Sequence, residues 1–215
     1  MQPPVLLPDD RVSAAYLELR ERVVMLLRSL ATDAGGITVP HCPEWTVQNL
    51  AAHLFGVPDD IVNGRMEGVA SDVWTQAQVD RSRNRTAGEI ADALEALAPR
   101  FDPLLPHFPA MSRSQMTMDA VTHEHDLRHA VGQPGARDSL AVHAALGWLG
   151  VWAEGRVLGS HAQLFAAGLS DFDLLRCLTG RRSIAQAEAL GLSADVLRKV
   201  QANSPLRAPT HDIQE

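Results

Sequence analysis

The chain has 215 residues, of which 46% are apolar and 21% charged, and its formal net charge is −7. A chain of this size buries roughly 70% of the surface of its unfolded form, so it needs neither a disulfide nor a structural metal to fold, and disorder is excluded. Two cysteines are too few for a cystine scaffold or a Cys-based zinc framework, and the acidic balance excludes a non-specific nucleic-acid binder.

The sequence also predicts a cytoplasmic protein. Its longest stretch without a charged side chain, Ser139 to Ala153, is shorter than the roughly 18 apolar residues of a membrane span. Met1 to Asp10 carries three prolines and no basic segment, unlike a signal peptide. The nine histidines are the unusual feature of the composition, because imidazole is widely used for metal binding and proton transfer.

Periodicity and capping residues predict three helices in the first hundred residues. The second helix has Thr46 as its N-cap, and Pro58 is expected to kink or divide it. The third begins at a capping box formed by Thr86 and Glu89 and reaches Leu97. The first helix has an apolar face with a spacing of three and four residues, made of Val12, Tyr16, Leu19, Val23, Leu26 and Leu30.

A fourth helix is predicted after a proline-rich connection. Pro99, Pro103, Pro106 and Pro109 predict no regular structure up to about Ala110. The helix then runs from about Ser114 to Gly132, where glycine ends it. Four antiparallel helices in roughly 130 residues is the economical interpretation.

The rest of the chain is predicted to be a short, mostly helical extension. Its helices are expected at Ser139–Trp152, Ser170–Cys177 and Ser183–Leu190, the last two with Ser at the start and a Gln or Asp three residues on. The predicted domains are therefore a helical bundle over residues 1–135, a helical C-terminal region over 136–202 and a loose tail over 203–215.

A candidate metal site is predicted from three side chains. Asp119 and His123 are four residues apart, so on a helix they share one face, with Cβ atoms about 5–6 Å apart. His53 lies beside the apolar stripe of the second helix. In a bundle all three would point inward, and two imidazoles with one carboxylate are a familiar ligand set for catalytic zinc, also suited to iron or nickel.

The same spacing has structural explanations, and they stay open at this point. A histidine near an apolar stripe is often a core residue, and an Asp four residues before a His is often a simple ion pair. Asp126, on the same face as Asp119, is either an acceptor that orients a ligand or a buried salt-bridge partner. His125 and His129 are predicted to face solvent.

Two further features are ambiguous in the same way. Cys42 either has a pKa lowered by the nearby helix start or is buried between two prolines. Arg181 and Arg182 either bind a substrate carboxylate or have a surface or helix-capping role.

Three segments resemble the mycothiol-dependent maleylpyruvate isomerase family, part of the DinB/YfiT-like metalloenzyme superfamily. They are PEWTVQNLAAHL (Pro43–Leu54), DAVTHEHDLRHAVG (Asp119–Gly132) and LLRCLTGRRSIAQAEAL (Leu174–Leu190), and with WTQAQVDRSRNR (Trp74–Arg85) they span most of the chain. The resemblance implies a mainly α, DinB-like up-and-down four-helix bundle, here with the short C-terminal extension.

The resemblance also implies a divalent metal, usually zinc, held by His53, Asp119 and His123. The isomerase pattern has Glu, and many relatives have His, where this chain has the shorter Asp119. No catalytic residue beyond the metal centre and no thiol-binding residue is indicated.

Three hypotheses of function result. The first is a metal-dependent enzyme that activates mycothiol, or a similar small thiol, for transfer to an electrophilic substrate or for cis–trans isomerisation. The second is a non-catalytic helical binding or dimerisation module, and the third is a metal-dependent hydrolase without a thiol. The expected partners are the small-molecule thiol, its electrophile and a second copy of the chain, since relatives are often dimers, with no nucleic acid or membrane.

Overall fold

The computed structural model describes residues 4–215, which are about 65% helix, confirming the predicted mainly α class. None of its helices combines the length and the apolar character that a membrane span requires. Two short antiparallel strands, β1 (Thr38–Val39) and β2 (Cys42–Thr46), lie before the second helix. The helices in the described residues are α1 (Asp9–Ser29), α2 (Val47–Val62), α3 (Asp72–Ser82), α4 (Ala87–Phe101), α5 (Ala110–Ala130), α6 (Leu140–Arg156), α7 (Ser160–Phe165), α8 (Asp171–Leu178), α9 (Ile184–Ala189) and α10 (Ala194–Gln201).

Capping residues set the helix starts that the sequence predicts. Thr46 caps α2, because its hydroxyl accepts from the Asn49 N–H at 3.3 Å and the Asn49 side chain accepts from the Thr46 N–H at 3.0 Å. Thr86 and Glu89 form the same reciprocal pair at the start of α4. These bonds satisfy backbone N–H groups that have no partner inside the helix.

The structure contradicts a division of the second helix at Pro58 and the absence of regular structure around the later prolines, while a kink at Pro58 stays a prediction. α2 is not divided at Pro58 and continues to Val62. The segment predicted to lack regular structure is helical: α4 continues through Pro99, and a 3₁₀ helix, Asp102–His107, contains two more prolines. Proline has a backbone φ close to the helical value, and Pro103 lies in the first turn of the 3₁₀ helix, where proline is tolerated, so a series of prolines does not exclude short helical segments.

The chain forms two compact units. Unit 1 contains residues 4–15, Pro109–Thr122 and Ala136–Glu215, and unit 2 contains Tyr16–Phe108 and His123–Gly135. In unit 2, α2 packs against α3 and α4. In unit 1, α6 packs against α7 and α8, and α10 packs against α9.

Candidate metal centre

His53 is held in place by its helix and by an amide. The Thr46 cap starts α2 two turns before His53, whose side chain is buried. Its Nδ1 lies 2.8 Å from Oε1 of Gln78, a residue of α3 that is 1% exposed. A carbonyl oxygen only accepts, so the imidazole donates this hydrogen bond from Nδ1.

Gln78 is itself bound to a buried carboxylate. Its amide nitrogen donates to Asp60 Oδ2 at 2.9 Å, and Asp60 is fully buried near the end of α2. The other oxygen of Asp60 accepts from Arg65 Nε at 2.6 Å and from Arg81. A continuous set of hydrogen bonds therefore leads from two partly exposed guanidinium groups to His53.

His123 has an equivalent partner. It lies on α5, is 9% exposed, and has its Nδ1 3.1 Å from Oδ2 of Asp126, which is fully buried. Asp126 is the side chain that the sequence suggests either as an orienting acceptor or as a salt-bridge partner. In the structure its carboxylate contacts the Nδ1 atom of the His123 ring.

The two imidazoles are close neighbours in unit 2. The rings of His53 and His123 meet edge to face, with centroids 5.2 Å apart. Trp45, on β2, lies beside both rings, and the centroid of its ring is 5.4 Å from that of His53 and 6.2 Å from that of His123. An indole beside the rings gives this cluster an apolar wall.

Asp119 lies one turn before His123 on α5, and the helix is unbroken between them. His53, Asp119 and His123 form one of the groups of side chains in the described residues that could hold a metal ion. Several such groupings of His, Asp and Cys in the described residues could hold a metal ion.

A second grouping in unit 2 shares His123. The potential ligand atoms of Cys42, His123 and Asp126 lie within 4.8 Å of one another, with Cys42 Sγ 3.8 Å from Asp126 Oδ2. Cys42 is half-buried on β2. The other cysteine, Cys177, is fully buried, and burial raises the pKa of its thiol to about 12.

The prediction that His125 and His129 face solvent is wrong. His125 is 2% exposed, and His129 is half-buried with its ring 4.9 Å from that of His41. The residues of α5 from Ala120 to Leu127 are all buried, so this part of the helix has no solvent face for His125 to occupy.

Glu124, the residue after His123, belongs to an ion-pair cluster. It is fully buried and accepts from Arg22 at 2.9 and 2.7 Å and from Arg128 at 3.0 Å. Two guanidinium groups therefore surround one carboxylate, an arrangement that satisfies a buried charge without a metal.

Arg182 binds a carboxylate from its own chain. In unit 1 its Nη1 lies 2.6 Å from Glu215 Oε2, and Nε of the fully buried Arg176 lies 3.0 Å from the same oxygen. Burial acts to raise the pKa of Glu215, but the charges of Arg176 and Arg182 and their hydrogen bonds outweigh it and hold the pKa below its ordinary value. Arg181 instead donates to the backbone oxygen of Thr179 at 2.6 Å.

Sequence reasoning missed Gln78, Asp60 and Cys42 as neighbours of the candidate ligands. Asp60 had a usable signal, because it follows His53 by two helical turns on the same face of α2. Gln78 and Cys42 reach the site from other elements, and no local spacing reveals that. Comparisons with protein-family models, with curated proteins and with solved structures find no match to this chain.

Proposed function

We propose that this protein is a metal-dependent and thiol-dependent enzyme of the maleylpyruvate isomerase type. Its divalent cation is held by His53, Asp119 and His123, and zinc is the first candidate for that cation. The observation that carries the proposal is the pair of imidazoles in unit 2: the ring centroids of His53 and His123 lie 5.2 Å apart, and the Nδ1 of each ring is hydrogen-bonded to a buried side chain. The proposed DinB-like bundle consists of α1, α2, α4 and α5.

The donor set suits such a cation. Two imidazole nitrogens and one carboxylate oxygen are ligands that zinc accepts, and three protein ligands leave coordination positions open. Gln78 and Asp126 engage Nδ1 of the two rings, so Nε2 is the ring nitrogen that each histidine offers to the metal. Bonds of this kind to the second nitrogen are typical of metal-binding histidines.

The chemistry of the site follows from its ligands and its surroundings. A divalent cation bound here supplies the charge that keeps a small-molecule thiol in its thiolate form at neutral pH. Asp126 keeps the His123 ring oriented, and Trp45 provides an apolar surface beside both rings. Cys177 is unsuited to the role of nucleophile because its pKa is raised to about 12.

Two reactions use such a thiolate. In a transferase, the sulfur attacks an electrophilic carbon, the leaving group departs with the bonding electron pair, and the thiol remains attached to the product. In an isomerase, the thiolate adds to a conjugated double bond, rotation occurs about the resulting single bond, and the thiolate leaves again. Mycothiol is the proposed thiol for either reaction.

Metal analysis of protein purified without chelators tests the site. We expect one divalent cation per chain in the wild type and a loss of about 100-fold or more in zinc affinity for His53→Ala and for His123→Ala, because each removes one of three ligands. The matched control is His143→Ala, since His143 is half-exposed and pairs with Asp171 at 3.1 Å in unit 1. A wild type without stoichiometric cation, or ligand variants that retain it fully, would overturn the proposal in favour of a non-catalytic helical module.

Calorimetry with mycothiol tests the thiol requirement separately. We expect binding to zinc-loaded protein and none to zinc-free protein, and turnover of maleylpyruvate or of an S-acceptor only when thiol is added. Hydrolytic turnover at the same rate with and without thiol would overturn the thiol half of the proposal while leaving the metal site in place.

A further inference from the structure

Gln78 connects the candidate ligand His53 to a buried carboxylate. One end of its amide accepts from His53 Nδ1 at 2.8 Å, and the other donates to Asp60 Oδ2 at 2.9 Å. All three side chains are at most 5% exposed. Water therefore has little access to replace either bond.

The orientation of this amide follows from Asp60. A carboxylate has no hydrogen to donate, so the group of Gln78 that faces Asp60 is the NH₂ group. The carbonyl oxygen then faces His53, where it accepts only from an N–H. His53 consequently carries its hydrogen on Nδ1 and a lone pair on Nε2.

We infer that Gln78 is a positioning residue which, oriented by Asp60, selects the His53 tautomer whose Nε2 binds a cation. The role toward a cation rests on the proposed function, whereas the choice of tautomer does not. A reversed amide would donate to Nδ1 and favour a hydrogen on Nε2, and that nitrogen would then have no lone pair for a metal.

Two features of the fold support this role. Asp60 also accepts hydrogen bonds from Arg65 and Arg81. With these two cationic partners the carboxylate is an acceptor, so it takes the NH₂ group of Gln78 as a donor. Gly56, one turn before Asp60 on α2, lets Gln78 approach the helix: a Cβ at position 56 would lie 2.6 Å from Gln78 Cγ. The absence of a side chain at position 56 therefore makes room for the bond to His53.

Gln78→Met is the direct test, because methionine has a similar length and lacks the carbonyl oxygen that accepts the bond from Nδ1, its sulfur being only a weak acceptor. We expect zinc affinity, measured by competition with a chelator, to fall about 10- to 100-fold, as for other partners of metal-binding histidines. Nitrogen NMR of the histidine rings in zinc-free protein at mildly alkaline pH should show His53 shifting from the Nδ1–H toward the Nε2–H tautomer. A merely structural role for Gln78 would leave this signature unchanged.

Gln201→Met is the matched control. Gln201 is 3% exposed, and its amide nitrogen donates to the backbone oxygen of Cys177 at 2.9 Å in unit 1. Its replacement removes a buried amide of equal size and should change neither the tautomer nor zinc affinity. An unchanged His53 tautomer in Gln78→Met, or an equal change in Gln201→Met, would overturn the inference.

Gly56→Ala decides the matter if Gln78→Met does not fold. It displaces Gln78 without changing its chemistry and should shift the tautomer in the same direction. Gly88→Ala is its control, because a Cβ at that helical glycine of α4 meets no atom within 4 Å. A wild type that binds no zinc would overturn the proposed function, and the His53 tautomer would then decide this inference alone.

Discussion

His123 and Glu124 are neighbours on α5, but their side chains lie in different polar surroundings. Glu124 is enclosed by guanidinium groups from Arg22 and Arg128. His123 lies among an imidazole, an indole, a thiol and two carboxylates. The first cluster contains the cations that its carboxylate requires, whereas the second brings together groups that could hold a metal ion.

The two clusters therefore differ in the role that we expect of their buried polar groups: the Glu124 cluster stabilises the fold, and the His123 cluster binds a ligand. Replacing one member of a closed ion pair leaves an uncompensated charge and mainly affects stability. Replacing a member of the imidazole cluster should mainly affect what the protein binds. The two outcomes are measurable in the same preparation.

The largest effect is expected for Glu124→Leu, which tests whether the Glu124 cluster contributes to stability. Arg22 and Arg128 would lose a fully buried partner, and removal of one member of a buried pair costs about 3–5 kcal/mol. Urea unfolding should show a free energy of unfolding lower by about that amount, while the zinc affinity of the folded fraction stays within twofold. A large loss of zinc affinity with little loss of stability would contradict this assignment of roles.

A smaller effect is expected for Glu215→Gln, which tests a closed cluster in unit 1. The pKa of Glu215 is lowered in the folded protein. The contribution of its ionised form to the free energy of unfolding is therefore fully present above the unfolded pKa of 4.5 and is lost as the pH falls through the folded pKa. The substitution should lower stability by about 2 kcal/mol at neutral pH and by almost nothing in strong acid. Thermal unfolding across this pH range provides the measurement, and a pH-independent difference would count against the ion pairs as its source.

The smallest effect concerns the thiols and leaves stability unchanged. Cys42, half-buried beside Asp126, should react with an aromatic disulfide reagent in the native protein, whereas Cys177 should not, because its pKa is raised to about 12 by burial. We expect one titrated thiol in the native chain, two after unfolding, and none in native Cys42→Ser. Rapid titration of both thiols in the native protein would show that the core around Cys177 is open.

Local signals in the sequence predicted several elements, and the reasons are physical. Thr46 and the Thr86–Glu89 pair act within a single turn, so their effect on helix starts is readable from neighbouring letters. The spacing of Asp119 and His123 likewise depends only on one turn of α5. These features can therefore be predicted from the sequence, because each depends only on residues within one helical turn.

The rest depended on packing between distant segments. α3 was not predicted, because it lacks an apolar stripe: its interior residues include Gln78 and Ser82, while Val73 is 81% exposed. His125 is rotated well away from His123 around the helix, which predicts a solvent-facing side chain, but packing against other segments buries it. Cys42 and Asp126 are brought together by the fold, and no periodic pattern relates them.

Gly56 limits how the sequence of this protein can change over time. A side chain at position 56 would collide with Gln78, so the two positions are not independent even though they lie on different helices. The contact involves the Cβ of Gln78 as well as its outer atoms, so a shorter side chain at position 78 would not remove it, and only glycine there would. A single close approach of α3 to α2 therefore restricts position 56 to glycine for as long as position 78 carries a side chain.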